Sequence, residues 1–318
     1  MPEPAWRARA QLIALARTAA DVDSAIRRGD LVRLSRDLYV PKAAASDVWQ
    51  RAGGALSTQC SLAALSRRSA AVSHGFRWLP TAWHDLSPVC VDAPRDDTSR
   101  SARSGIDRNL SALPPEDVII WQGLRITSAA RTAVDLARFE QRQLAVSILD
   151  GVLTDEFCTK EDMFAVLDRM YRVPFSRRAR ALVDLARKGV DSPRETDTRL
   201  QIVGAGLPTP DVNLQIKEEG RCLAQGDLGY WQWLIWIDYD GREEHKERRA
   251  NGSDQAKDRW LGRRGWDVFR VTNRDYHSPQ LFLQQLAGAI RDAPARIAAM
   301  RPERSPEVAA ARVLLGLG

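Results

Sequence analysis

Two short helical patterns and an apolar ribbon open the chain. Apolar positions recur at helical spacing over residues 7–18 and again over residues 22–28. The segment RRGDLVRLSRDLYVP then carries two apolar runs separated by a polar turn at residues 35–37, which is typical of two antiparallel strands. Two helices followed by such a ribbon predict a winged helix-turn-helix over residues 1–45.

The middle of the chain mixes helix and strand patterns, which predicts a mixed α/β region over residues 46–190. The segment CSLAALSRRSAAVSHG has helical periodicity and ends at Gly75, so we predict one helix there. Strands are expected around residues 86–91 and 118–121, and a polar loop over residues 94–104. Four further helices are predicted over residues 130–141, 143–153, 160–170 and 176–189.

A third region follows a break near residues 189–192 and predicts a further α/β domain over residues 191–292. Ser192 is a candidate N-cap with Pro193 at the first helical position. Three strand-like segments, a polar helix, the strand WDVFRVT and a last helix over residues 279–291 come next. The order α-β-β-β-α-β-α predicts a mixed sheet covered by helices, and residues 293–318 are expected to form a partly ordered tail.

The composition mainly excludes classes of protein. The length of 318 residues exceeds one typical core, and 44% hydrophobic with 28% charged residues is ordinary for a soluble globular protein. No run of about 18 apolar residues and no apolar secretion core occur, so we expect no membrane partner and a cytoplasmic location. The net charge of +6 is compatible with DNA binding but does not require it. The four widely spaced cysteines fit no zinc or redox motif.

Candidate chemistry is concentrated in GDLGYWQWLIWIDYDGREEH. The apolar run WLIWI predicts a buried strand that leads into Asp238 and Asp240, which would share one face of that strand. Asp227 would lie on the preceding strand, within reach of Asp238. Converging carboxylates repel each other unless they share a hard cation such as Mg²⁺. The alternative is a turn with exposed aspartates.

The segments SPRE, IDYDGREEH and RWLGRRGWDVFRVT resemble the very-short-patch-repair-like branch of the PD-(D/E)XK nuclease superfamily. The resemblance implies a restriction-endonuclease-like α/β sandwich and a metal-dependent endonuclease. Asp238 stands where that branch usually has Glu. Asp240 stands at the superfamily's lysine position, which leaves open which group activates water.

The resemblance implies a set of site residues, each with an alternative. Asp227 and Asp238 would hold Mg²⁺ or Mn²⁺, which would lower the pKa of a bound water. Asp240 would assist them or be a turn residue, and His245 would act as general base or acid or be a solvated side chain. Glu195 would belong to the site or serve only the capping box that begins at Ser192.

The earlier segments GDLVRLSRDLYVP, SRRSAAVSHG and WQGLRITSAARTAVDLAR resemble the winged-helix antitoxin family of type IV abortive-infection systems. This resemblance spans roughly residues 5–140 and implies DNA binding or regulation of a neighbouring gene.

Basic residues in both the first and the last region of the chain are expected to contact DNA phosphates, with a solvated basic face as the alternative for each. These residues are Arg27, Arg28, Arg33, Arg36, Lys246, Lys257 and Arg259.

Two functions follow as expectations. The first is a metal-dependent DNA endonuclease that is docked by its winged helix, in phage defence or a toxin–antitoxin context. The alternative is a non-catalytic DNA-binding regulator or antitoxin-like protein whose nuclease fold is degenerate. DNA is the expected partner in both, and a second copy of the chain and the product of a neighbouring toxin or antitoxin gene are further candidates.

Overall fold

The structure is a computed structural model, and it describes residues 7–16, 18–35, 38–44, 47–97, 105–218, 220–240 and 251–300. Over these ranges the chain is mixed α/β, with twelve α-helices and three sheets. It divides into two compact units, Met1–Ala186 and Arg187–Gly318. The prediction of a multi-domain α/β protein is confirmed at this level.

The first unit begins with two helices and a small antiparallel sheet. Its strands lie in the order β1-β3-β2. Thr18 begins α2, because its side chain accepts a hydrogen bond from Asp21 N–H, and Gly29 ends it in the left-handed conformation. A short strand precedes the first helix, because Arg7 and Ala8 pair with β3. The elements are β1 (Arg7–Ala8), α1 (Arg9–Ala16), α2 (Ala19–Arg28), β2 (Leu31–Ser35) and β3 (Leu38–Pro41).

A five-stranded sheet and six helices complete the first unit. The strand order is β6-β5-β4-β8-β7, with parallel pairs β4·β8 and β5·β6. A core that includes Leu65, Val91 and Ile126 lies against α3. The elements are α3 (Val48–Ser57), β4 (Ala64–Leu65), α4 (Arg67–His74), β5 (Val89–Ala93), β6 (Ile106–Leu110), β7 (Val118–Trp121), β8 (Leu124–Thr127), α5 (Ala129–Phe139), α6 (Arg142–Thr154), α7 (Lys160–Arg169) and α8 (Ser176–Leu185).

Three helix predictions in this unit are wrong in part. The helix predicted over residues 7–18 covers only Arg9–Ala16, and the one over residues 176–189 ends at Leu185. The helix expected over residues 60–75 covers only α4, and Ala64 and Leu65 form strand β4 instead. Both residues are fully buried and pair with β5, and Leu65 also pairs with β8. The alanine and leucine there match helical periodicity, but a place in the middle of a sheet overrides that local preference. The predicted end at Gly75 is confirmed by its left-handed conformation.

The second unit contains a four-stranded sheet in the order β12-β11-β10-β9. Strand β10 is antiparallel to both of its neighbours, β9 and β11. Strand β12 follows helix α10 and is parallel to β11. A parallel return of this kind requires a crossover connection, which α10 helps to provide. The elements are α9 (Pro193–Gly204), β9 (Asp211–Glu218), β10 (Arg221–Tyr230), β11 (Ile235–Asp240), α10 (Asn251–Arg263), β12 (Asp267–Thr272), α11 (Asn273–His277) and α12 (Gln280–Met300).

Helices cover both faces of this sheet. Ile202 of α9 and Phe282 of α12 pack with Ile235 and Ile237 on one face. Leu261 of α10 packs with Trp236 on the other. Because successive residues of β11 point to opposite faces, the even-numbered Trp236 and Asp238 share the face covered by α10.

The end of the second unit differs from the sequence expectation. Helix α12 runs to Met300, so residues 293–300 belong to a helix rather than to the predicted tail. The short helix α11, which precedes α12, was not predicted. Within the described ranges, no helix has both the length and the apolar character needed to cross a membrane.

Candidate functional site

Glu195 is fixed at the start of α9 by local hydrogen bonds. Ser192 caps this helix, with its hydroxyl accepting from Glu195 N–H at 3.3 Å and donating to Glu195 Oε1 at 2.7 Å. Asp191 N–H donates to Glu195 Oε2 at 3.0 Å. The side chain of Glu195 is therefore engaged in capping, as the alternative interpretation of this residue expected.

Asp227 and Asp238 lie side by side on β10 and β11, next to the paired residues Leu228 and Ile237. The backbone N–H of Asp227 donates to Asp238 Oδ1 at 3.3 Å, and Tyr239 N–H donates to Asp227 Oδ2 at 2.7 Å. Each carboxylate is thus held by the backbone of the neighbouring strand. The structure brings these two predicted residues together.

Two basic side chains neutralise Asp238. Lys257 of α10 places Nζ 2.8 Å from Asp238 Oδ2, and Arg270 of β12 places Nη1 2.9 Å from the same oxygen. Lys257 also donates to Gln225 O at 2.6 Å and lies 4.9 Å from the ring centroid of Trp236. Asp238 itself is only 4% exposed, so these contacts compensate a buried charge.

The negative charge of Asp227 acts on the carboxyl group of Glu195. The pKa of Glu195 is raised to about 7, mainly by burial. The hydrogen bonds from Asp191 N–H and from the Ser192 hydroxyl lower this pKa, and the negative charges of Asp227 and Asp191 raise it. Burial also raises the pKa of Asp227, with Asp238 acting in the same direction and Lys257 and the Tyr239 hydrogen bond opposing it. Glu195, Asp227 and Asp238 therefore form one electrostatic cluster, which we call the acidic cluster.

The acidic cluster has the ligand type that a hard divalent cation prefers, and two basic side chains contact one of its oxygens. Carboxylate oxygens are the ligands that Mg²⁺ prefers. Lys257 and Arg270 both contact Oδ2 of Asp238, and its Oδ1 accepts from the backbone N–H of Asp227. Among the described residues, no group of three or more His, Cys, Asp or Glu side chains is placed to hold a metal ion. The Mg²⁺ or Mn²⁺ ligation expected for Asp227 and Asp238 therefore stays a prediction.

Several predicted site residues lie outside the described part of the chain. His245, Lys246 and Arg36 are among them, as is the side chain of Asp240. Asp240 is described only through its backbone, where it ends β11 in register with Thr272. The roles expected for these residues stay predictions.

The basic residues predicted to contact DNA occupy different environments. Arg27 and Arg28 are exposed in the last turn of α2, where Arg28 is hydrogen-bonded to Ser24 and Asp30. Arg33 is exposed on β2, and Arg259 is exposed on α10. Lys257, by contrast, points into the acidic cluster.

A buried charge network in the first unit was not predicted from the sequence. Arg131 of α5 is 1% exposed, and its guanidinium lies 2.8 Å from Asp135, 2.9 Å from Asp117 and 3.5 Å from Asp92. These three carboxyl groups are equally buried, and Arg138 also pairs with Asp135. One signal in the sequence could have indicated this network. Arg131 and Asp135 are four residues apart in the segment ARTAVDLAR, whose other residues are mostly apolar or small, and side chains at this spacing meet on a helix.

The first unit also contains a cavity of about 560 Å³, a size within the usual range for ligand sites. Its walls include Ile119 and Trp121 of β7, Val166 of α7, and Phe157. His74 lies in the wall too, with Nε2 2.8 Å from Thr127 O and its ring stacked on Phe76. Burial lowers the pKa of His74, which favours the neutral form of this packed ring.

Comparison with known proteins gives one family match and two relatives. Residues 62–185 match the family described as the AbiEi antitoxin C-terminal domain. A stretch of 158 residues is 27% identical to the uncharacterised proteins MT2308 and Rv2248 of Mycobacterium tuberculosis, from strains CDC 1551 and H37Rv. The match covers 48% of this chain and 56% of each relative, so the chain spans little more than half the length of these proteins.

The family match supports the antitoxin-like region and places it later in the chain than expected. The resemblance was predicted over roughly residues 5–140, whereas the match begins at residue 62 and includes all of α5 to α8. The match ends before the second unit, which holds the acidic cluster. The resemblance of that unit to a nuclease stays a prediction.

Proposed function

We propose that this chain is a DNA-binding regulator of the antitoxin type, which acts in an abortive-infection toxin–antitoxin context. The observation that carries this proposal is the match of residues 62–185 to the AbiEi antitoxin C-terminal domain. The product of a neighbouring toxin gene is then the natural counterpart. The second unit serves this function as a binding or scaffold unit without nuclease chemistry.

The arrangement of the first elements supports a DNA-binding role. The order β1-α1-α2-β2-β3 with the sheet order β1-β3-β2 agrees with a winged helix, in which α2 is the recognition helix and β2 with β3 form the wing. Arg27 and Arg33 are exposed on these two elements, and such side chains can bind phosphates of the DNA backbone. This is the nucleic-acid-binding surface that we assign to the chain.

Binding to DNA tests this assignment. The full chain should bind duplex DNA from upstream of its own gene in the presence of a chelator, as measured by fluorescence anisotropy. The double variant Arg27→Ala with Arg33→Ala should bind more weakly. The slope of log K against log salt concentration should also become shallower, by about one for each phosphate that the variant no longer binds. Arg142→Ala removes an exposed arginine from α6 and is the matched control. Equal binding by all three proteins would contradict the assigned surface.

The electrostatics of the acidic cluster support a second unit without chemistry. Asp238 is compensated within the fold by Lys257 and Arg270, so its charge needs no external cation. An ion bound through Asp238 Oδ2 would have to displace one or both of these side chains. The residue that the nuclease resemblance makes central is therefore already satisfied by protein groups.

A second candidate function, a metal-dependent endonuclease, is favoured by the grouping of Glu195, Asp227 and Asp238. The order α9-β9-β10-β11-α10-β12 agrees with the predicted nuclease-like sandwich, and the two aspartates lie on its adjacent central strands. Divalent ions would supply charge neutralisation at a phosphate when bound. Lys257 would then hold a substrate phosphate or a carboxylate in place.

A cleavage assay separates the two candidates. Supercoiled, linear and single-stranded DNA would be incubated with the full chain in Mg²⁺, Mn²⁺ or chelator. We expect binding without metal-dependent cutting. Cutting that requires metal and is abolished in the double variant Asp227→Ala with Asp238→Ala would overturn the proposed function in favour of the nuclease.

A further inference from the structure

The two outer strands of the five-stranded sheet differ sharply in chemistry. The sheet ends at β6 on one side and at β7 on the other, so in the described part of the chain no strand pairs with the outer edge of either. Strand β6 has the sequence Ile-Asp-Arg-Asn-Leu, and its Asp107 and Arg108 form ion pairs with Arg67 and Asp97. Charges of this kind protect an edge strand from pairing with another chain.

Strand β7 carries no such protection. Its sequence is Val-Ile-Ile-Trp, and Ile119, Ile120 and Trp121 are 38%, 64% and 44% exposed. Ile119 and Trp121 share the face that lines the cavity, and Ile120 points to the opposite face. Apolar side chains are thus exposed on both faces of an open edge, which is the pattern of a strand that pairs with another strand.

The turn that follows β7 fixes which backbone groups point outward. Gln122 and Gly123 both have positive φ, of 46° and 78°, which is a two-residue type I′ hairpin. Trp121 and Leu124 close that turn, so Trp121 and Ile119 direct their backbone hydrogen bonds to β8. Backbone groups alternate between neighbours along an antiparallel strand. Ile120 therefore turns its N–H and C=O away from β8, toward the open side.

We propose that this edge pairs with β7 of a second copy of the chain. Pairing Ile120 with Ile120 of the other copy lets the two residues exchange both backbone hydrogen bonds across a two-fold axis. The same register places Ile119 opposite Trp121 on the cavity face, twice, and such aromatic–aliphatic cross-strand pairs are favourable. The strand is uncharged from Val118 to Trp121, so it meets itself without repulsion.

A second copy fits this edge because the edge is complementary to itself. In the antiparallel orientation that a two-fold axis imposes, with Ile120 opposite Ile120, the residues Ile119, Ile120 and Trp121 each face an apolar residue of the other copy, and Val118 faces Gln122. Phe157, which is 37% exposed in the cavity wall, extends the apolar surface beyond the strand. The resulting dimer would join two five-stranded sheets into one.

Sedimentation velocity of the full chain over a range of concentrations tests the proposal. We expect the wild type to approach twice its 35.5 kDa mass and to dissociate on dilution. Ile120→Lys places two like charges directly opposite each other and should raise the dimer Kd by about tenfold or more. The matched control is Leu110→Lys, which puts the same charge at an exposed position on the other edge strand and should leave the Kd unchanged.

Hydrogen exchange keeps the test decisive if a variant folds poorly. In the wild type, the amide of Ile120 should exchange more slowly as the protein concentration rises, whereas the amide of Leu110 should not respond. A wild type that stays monomeric at every concentration would overturn the proposal and leave the edge to a strand of another protein. A dimer that Ile120→Lys leaves intact would overturn it equally.

Discussion

Buried charged side chains in this protein are satisfied in two different ways. Arg131 and Asp238 are compensated by groups of opposite charge at hydrogen-bonding distance. Glu195 is held by the Ser192 hydroxyl and a backbone N–H, while the nearby Asp227 carries charge of the same sign. In the first arrangement, opposite charges stabilise each other, whereas in the second, burial beside a charge of the same sign favours the protonated form of Glu195. The two kinds of site should therefore respond differently to substitution and to pH.

Arg131→Ala should lower the free energy of unfolding by about 3–5 kcal/mol, because it leaves buried carboxylates without their cation. Urea unfolding followed by circular dichroism measures the change. Arg180→Ala is the matched control, because it breaks an exposed pair with Asp168 that should contribute about 1 kcal/mol or less. A change in Arg131→Ala as small as that of the control would mean that the network contributes little to stability.

Glu195→Gln should stabilise the second unit progressively as pH rises. The pKa of Glu195 is raised from its ordinary 4.5 to about 7, so between these values the folded state binds more protons than the unfolded chain. The free energy of unfolding of the wild type therefore falls as pH rises through this window. Glutamine removes the charge. Its one amide oxygen can still accept from Asp191 N–H, and its NH2 group can donate to the Ser192 hydroxyl in place of the bond that this hydroxyl donates to Glu195.

The measurement is the difference in unfolding midpoint between Glu195→Gln and wild type, taken from about pH 5 to about pH 8. The difference should grow in favour of the variant across that range. Glu161→Gln removes an exposed carboxylate from the first turn of α7 and is the control. A difference that does not change with pH would contradict the raised pKa.

At the scale of elements, local signals placed the helix ends and tertiary contacts placed the strands. The caps at Thr159 and Ser192 each accept a backbone hydrogen bond from the third residue after them, and the helix starts predicted beside them are confirmed. The cap at Thr18 was missed, because the second helix was predicted to start at residue 22 and α2 starts at Ala19. The sheet of the second unit depends instead on close approach between strands. A Cβ on Gly226 of β10 would lie 2.4 Å from the buried ring of Trp236 on β11. The absence of a side chain at Gly226 is what lets these two strands and the acidic cluster come together.

Gly226→Ala should destabilise the second unit by about 1–3 kcal/mol, because the added methyl group overpacks against Trp236. Tryptophan fluorescence during urea unfolding reports the change. The matched control is Gly204→Ala at the end of α9, where a Cβ would meet no atom within 4 Å and helix propensity favours alanine. Equal stability of the two variants would show that the strands can separate to admit the methyl group.

At the scale of the whole molecule, each unit has a hydrophobic core of its own. Leu65 and Ile126 belong to the core of the first unit, and Ile237 and Trp236 belong to the two cores of the second. A unit with its own core can fold alone. The DNA binding that we propose for the first elements and any chemistry at the acidic cluster should therefore be separable activities.

Residues 1–186, expressed alone, should unfold in a single cooperative thermal transition with native near-ultraviolet circular dichroism. A fragment that ends at residue 140 is the control, because it removes α6, α7 and α8, and α5 packs against these helices in the intact unit. That control should not fold cooperatively. A 1–186 fragment that also fails to unfold cooperatively would mean that the first unit needs the rest of the chain.

The sequence by itself determined the features that depend on near neighbours along the chain. Helix α9 begins at Pro193 after the Ser192 cap, and β7 covers the predicted residues 118–121, because caps and apolar runs act within a few residues. The adjacency of Asp227 and Asp238 was also predictable, since two consecutive antiparallel strands carry them. The antitoxin-like region was recognisable from its motifs, although its limits were not.

Only the tertiary structure decided which charges meet and which strand is left open. Lys257 lies 19 residues from Asp238 in the chain, and Arg131 contacts Asp92 from a different element. Such pairings follow from sheet order and helix placement, which a local pattern does not encode. The same holds for β7, because an apolar strand has the same pattern in the centre of a sheet and at its edge. Its place at the edge, on which the proposed pairing with a second copy depends, is set by the strand order β6-β5-β4-β8-β7.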